Sequence, residues 1–195
     1  MAPSKNKKSF SCHAFTLIEV VVVVSTLAVA LPIVTLILFA ILRQQLAVTR
    51  MSEVKKQGDQ AITFIQTMLE QEVRAMYAAD GSQLCENASG SIATVDYFMD
   101  ADGNKIHLIL DQNNLSVRRE LVSGADSNDM LTDNAKVFVE PVSVGIPLAQ
   151  CVRSRSFARP IIGVQFSIVP AGTMSNDERE GLRMHFFTKI AINTL

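Results

Sequence analysis

The sequence predicts an α+β fold: a long N-terminal helix, membrane-spanning in its first half, packed on a small, mainly antiparallel sheet. Three observations predict it. Residues 20–42 carry no charge and are mostly Val, Leu, Ile, Ala and Phe. After them, apolar residues recur at three- and four-residue steps as far as Met76, the spacing of one helix face. Beyond a breaker-rich stretch at 79–87 the pattern changes to short alternating runs, the period of half-buried strands.

The apolar run defines the first element. Its 23 residues, at about 1.5 Å each, make roughly 34 Å of helix, enough for a hydrocarbon core of about 30 Å. The β-branched residues at 20–24 disfavour a helix in water, but lipid forces the backbone to bond internally. Pro32 is expected to kink the helix, which membranes tolerate. The chain as a whole has 18 basic and 19 acidic residues, a net charge of −1, so nothing electrostatic argues for nucleic acid as a partner.

Residues 1–14 contain Lys5, Lys7 and Lys8 and no acid, a basic leader before apolar sequence. A secretory signal cut after Ala30 is the competing reading, because Ala28-Val29-Ala30 has the small-x-small form. Against it, the apolar run continues twelve residues past Ala30, and Glu19 interrupts its start. Arg43, Arg50, Lys55 and Lys56 follow the span, so basic charge on both sides leaves orientation open.

The helix is expected to continue through 43–78 with Met51, Val54, Ile62, Ile65, Leu69, Val73 and Met76 on its apolar face. Gly58 is the point where it would bend. Residues 79–195 form the head. Candidate strands are 92–99, 105–110, 115–121, 136–142, 162–169 and 182–194, with Asp102-Gly103 as hairpin-turn chemistry between the first two.

Glu19 decides the functional reading. A carboxylate at the entrance to a span is costly unless something pairs with it. It closes the stretch Ala14-Phe15-Thr16-Leu17-Ile18-Glu19, behind a short basic leader and ahead of an apolar helix. This combination, over roughly residues 5–45, resembles the processing site of the type IV pilin and pseudopilin superfamily. The resemblance implies cleavage by a prepilin peptidase between Ala14 and Phe15, N-methylation of Phe15 by the same enzyme, and a subunit-assembly role for Glu19. In that role its carboxylate pairs with the terminal amine of a neighbouring subunit. Ala14 departs from the family's usual Gly before the cut.

The resemblance further implies an inner-membrane, single-pass precursor with its head outside the cytoplasm, and partners that are other pilin or pseudopilin subunits. The helix stretch 62–74 and Leu115-Ser116-Val117-Arg118-Arg119 look similar, more loosely, to larger minor pilins and minor pseudopilins; 181 mature residues suit such a component. An unprocessed, membrane-anchored binding module is the alternative. Cys12 would leave with the leader. Cys85 and Cys151 would remain, either as one disulfide in an oxidising compartment or as two buried thiols. Losing three Lys changes the charge to 15 basic against 19 acidic, or −4.

Other constellations carry less. Asp100, Asp102, Asn104 and Asp111 match calcium-loop positions 1, 3, 5 and 12, but Lys105 stands where the loop needs Gly. Arg153, Arg155, Arg159 and Phe157 form a basic-aromatic group that reads as a solvated loop, and Asn87-Ala88-Ser89 and Asn114-Leu115-Ser116 fit the glycosylation triplet. His13, His107 and His185 have no nucleophile, phosphate loop or metal-ligand spacing beside them. No cofactor is expected, and nothing argues for an enzyme.

Overall fold

A computed structural model describes residues 16–86, 90–111, 113–142, 147–155, 158–172 and 176–192. The chain divides into two compact units, Met1–Leu46 and Ala47–Leu195, taken here in turn.

The described part of the first unit is helical. It is the beginning of α1 (Leu17–Gln71), which is continuous through Pro32. The hydroxyls within its apolar sequence bond back to the helix: Ser25 Oγ donates to the Val22 carbonyl, Thr26 Oγ1 to Val23 and Thr35 Oγ1 to Leu31, at 2.8–2.9 Å. None is left to seek water.

The second unit packs the rest of α1 against two antiparallel sheets. The strands are β1 (Val73–Tyr77), β2 (Ala93–Thr94), β3 (Tyr97–Asp100), β4 (Lys105–Asp111), β5 (Asn114–Glu120), β6 (Ser127–Met130), β7 (Val137–Glu140), β8 (Ala149–Val152), β9 (Ile161–Pro170) and β10 (Met184–Ala191). A short α2 (Asn176–Gly181) precedes β10. The first sheet has the order β1-β3-β4-β5-β6 and the second β10-β9-β8-β2, with β7 also paired to β9. The ten-residue β9 borders β8 along 161–164 and β7 along 167–170. The α+β class is as the sequence predicts, with two sheets in place of one.

The helical stripe supplies Val54, Ala61, Ile65, Met68 and Leu69 to a core shared with Met76, Phe98, Ile106, Val117, Ile162, Phe166 and Ile168. Gly58 lies within the unbroken helix α1. It lies under the Phe186 ring so closely that a Cβ there would stand 2.0 Å from Cζ.

The helix reading over 43–78 is corrected at its end. Helix α1 stops at Gln71, and residues 73–77 are strand β1. Val73 and Met76 are both buried, a three-residue step that belongs to a helix and that a regular strand would split between two faces. A register shift between Val73 and Ala75 inserts Arg74 as an extra residue. This bulge brings Val73 and Met76 to the same face.

The expected strand 92–99 is two strands, β2 and β3; β6, β8 and α2 had no strand or helix predicted; and β10 is shorter than 182–194, whose last residues lie outside the described ones. In the β3–β4 turn Gly103 has φ 84°, where only glycine is unstrained. Asp100 organises this turn: its Oδ1 accepts from the backbone N–H of Asp102 and Asn104, and its Oδ2 from Asn104 Nδ2, at 2.7–2.9 Å.

Candidate functional site

The N-terminal end of α1 holds the sequence-predicted site. Ala14 and Phe15, with Lys5, Lys7, Lys8, Cys12 and His13, lie outside the described residues. From Thr16 the geometry is defined: the Thr16 carbonyl accepts from the N–H of Glu19 at 3.1 Å and of Val20 at 3.3 Å. Glu19 thus sits in the first turn, where the helix dipole favours an anion.

Around and beyond it the surface is apolar and uncovered. Every residue of 16–52 is exposed, including the large side chains Leu17, Leu36 and Val29 at 84%, 70% and 67%. Glu19 is the single charged residue from Leu17 to Leu42. The segment is long and apolar enough to cross a membrane, with a mean hydropathy of 2.8 over 18 residues and none of them buried. An apolar surface of this extent is costly to leave in water.

Cys85 and Cys151 are bonded, with Cα atoms 6.4 Å apart and a sequence separation of 66. Cys151 is fully buried in β8. Cys85, at φ 57°, ends a loop that Asp80 folds: both the N–H and the hydroxyl of Ser82 donate to Asp80 Oδ1. Those two bonds hold the Asp80 carboxyl below its ordinary value. Arg153 fastens the same loop from the β8 side, its Nη1 donating to the carbonyls of Cys85 and Glu86 and its Nε to that of Ala158. The basic group read from 153–159 therefore includes a structural clamp; Phe157 lies outside the described residues.

The remaining candidates take structural positions. His107 stands in a row of rings on the first sheet: Tyr77 stacks on Tyr97 at 5.0 Å, and Tyr97 meets His107 at 5.6 Å. His107 Nε2 lies 3.8 Å from Glu120. His185 Nδ1 is 2.8 Å from Ser167 Oγ, with Ser167 wholly buried. Asp100, Asp102, Asn104 and Asp111 do not converge, because Asp100 is occupied by its own turn and Asp111 lies at the far end of the seven-residue β4 that Lys105 begins. Among the described residues no group of three metal-ligating side chains occurs. Asn114 is buried in β5, which removes it as a glycan acceptor, and 87–89 lie outside the described residues.

These features define the class of protein: an α+β head carried on a helix whose N-terminal half is an exposed apolar surface with one carboxylate at its start. No protein-family model, curated protein or solved structure matches the chain.

Proposed function

We propose that the chain is a minor pilin or pseudopilin, made as a precursor, held in the inner membrane by its apolar helix with the head outside the cytoplasm. A prepilin peptidase cuts between Ala14 and Phe15 and methylates the new amine of Phe15. The subunit then joins or primes a type IV-like filament: a pilus, a secretion pseudopilus or a DNA-uptake filament. Its role is structural. The apolar helix anchors and then packs, Glu19 sets register with a neighbour, and the head supplies partner contacts.

The observation that carries this reading is the isolation of Glu19. It is the one charge from Leu17 to Leu42, a helix segment that is mostly apolar and exposed throughout. A lone carboxylate there is costly in lipid or between apolar helices, and an opposite charge from a neighbour offsets that cost. The Phe15 amine created by cleavage is such a charge, four residues away in sequence and delivered by an adjacent subunit.

The test is the mass and N-terminus of the mature chain with and without the prepilin peptidase. A chain beginning at N-methylated Phe15, seen only with the peptidase, supports the reading. A start at Leu31 makes it a secreted domain, and an intact leader makes it an anchored binding module.

A further inference from the structure

The outer face of the second sheet carries a groove of about 340 Å³. Strand register builds it. Gly163 in β9 stands opposite Lys189 in β10 and opposite Gln150 in β8. An ammonium, a gap and a carboxamide therefore form one row across three strands. Around that row Ile92, Ile161 and Phe187 line the groove, and each is substantially open to solvent.

Gly163 is informative because nothing inside the molecule requires it. Its φ is outside the left-handed region, and an added Cβ would meet one atom within 4 Å, Phe187 Cε2 at 3.6 Å, an ordinary contact. Glycine within a strand weakens the sheet, and it recurs where another molecule approaches the backbone closely. Here it leaves room at the floor of the groove beside the Phe187 ring. Lys189 points to what fills that space. Among the described residues no carboxylate lies within ion-pair distance of its Nζ, no acid lines the groove, and its one ring contact is Phe187 at 5.2 Å. Apolar walls with few, convergent polar groups are the usual make-up of a ligand site.

We propose that this groove binds an apolar carboxylate. The anionic head lies over Gly163, between the Lys189 ammonium and the Gln150 amide, and the apolar body packs on Phe187, Ile161 and Ile92. A small organic acid and the C-terminal end of a polypeptide share this chemistry. The inference does not depend on the filament reading.

The test uses the full chain in detergent micelles with labelled isoleucine δ1 methyls, titrated with 4-phenylbutanoate and with its neutral amide. The acid is expected to shift the Ile92 and Ile161 methyls saturably while the buried Ile162 and Ile190 methyls stay in place. The amide should bind about tenfold more weakly, the scale of one charge-assisted hydrogen bond. Lys189→Gln should weaken the acid about tenfold and leave the amide unchanged, and Gly163→Val should abolish both. Unmoved Ile162 and Ile190 signals verify that each variant is folded, and the acid-against-amide comparison on the unaltered chain needs no variant. Non-saturating shifts, equal binding of acid and amide, or binding that survives Gly163→Val would overturn the proposal. A short peptide ending in a free Phe carboxylate distinguishes the sources: tighter binding than 4-phenylbutanoate assigns a polypeptide end, weaker binding a small acid.

Discussion

The contact between Gly58 and Phe186 yields the sharpest stability prediction. A Cβ at position 58 would lie 2.0, 2.2 and 2.4 Å from Cζ, Cε1 and Cε2 of the ring. Ordinary carbon contacts are about 3.5–4.0 Å, so the ring must retreat by about 1.5 Å or the helix must lift. The ring has little freedom to do so, because it stacks on the fully buried Phe166 at 5.6 Å. Overpacking of this kind costs about 2 kcal/mol and the disturbed ring pair about 1 kcal/mol more. Replacing a mid-helix glycine with alanine returns about 1 kcal/mol through propensity.

Gly58→Ala should therefore destabilise the head by about 2 kcal/mol, lowering Tm by about 4–8 °C. Thermal unfolding of the full chain in micelles, followed by circular dichroism, measures it. Shortening the ring relieves the clash, so the Gly58→Ala/Phe186→Leu pair should show a favourable coupling of at least about 1 kcal/mol. A Gly58→Ala chain as stable as the original or more so, or strict additivity in the pair, would refute the argument.

Three further outcomes follow from the site. Replacing both Cys85 and Cys151 by Ser should cost about 4 kcal/mol by loop entropy, and a reductant should lower the Tm of the original chain but not of the variant. Burial pushes the Asp100 carboxyl upward, but its bonds from Asn104, Asp102 and Gly103 outweigh that and set it below the ordinary value of 3.8. Its contribution is thus complete above the ordinary carboxylate range and lost as pH falls through the lowered folded value; Asp100→Asn should flatten that acid limb in pH-dependent unfolding. Glu19→Ala should leave the unfolding of the head unchanged and abolish recovery of the chain in sheared filaments, and normal recovery would count against the register role.

How much of this was legible in the sequence follows from what each signal encodes. The uncharged run at 20–42 and Glu19 are properties of composition, so they needed no tertiary information. Strands β4, β5 and β9 carry strong alternating or apolar runs and lie within a residue of their expected bounds. Strand β6 was silent because Ser-Asn-Asp-Met is an exposed edge held by its pairing with β5, and edge strands with polar residues have no periodic signature. The end of α1 misled for a definite reason: a one-residue bulge converts a period of two into a step of three, and local periodicity cannot separate that from a helix.

The two glycines set the limit most clearly. Gly58 and Gly163 both sit inside regular elements, where glycine is unfavourable, and on sequence alone each reads as a weak point. Their surroundings give opposite reasons for the same residue. At Gly58 the missing side chain is replaced by the protein's own ring, at a distance no Cβ tolerates; the residue is there so that the helix can close on β10. At Gly163 an added Cβ would make one ordinary contact, with Phe187 Cε2 at 3.6 Å, so a side chain fits there and packing does not demand glycine. Substitution separates the two directly. Alanine should be destabilising at 58 and stabilising or neutral at 163, where the strand gains from losing a glycine. If Gly163→Ala instead destabilised the head as Gly58→Ala does, Gly163 would have an internal packing role, and the case for an external occupant of the groove would fall with it.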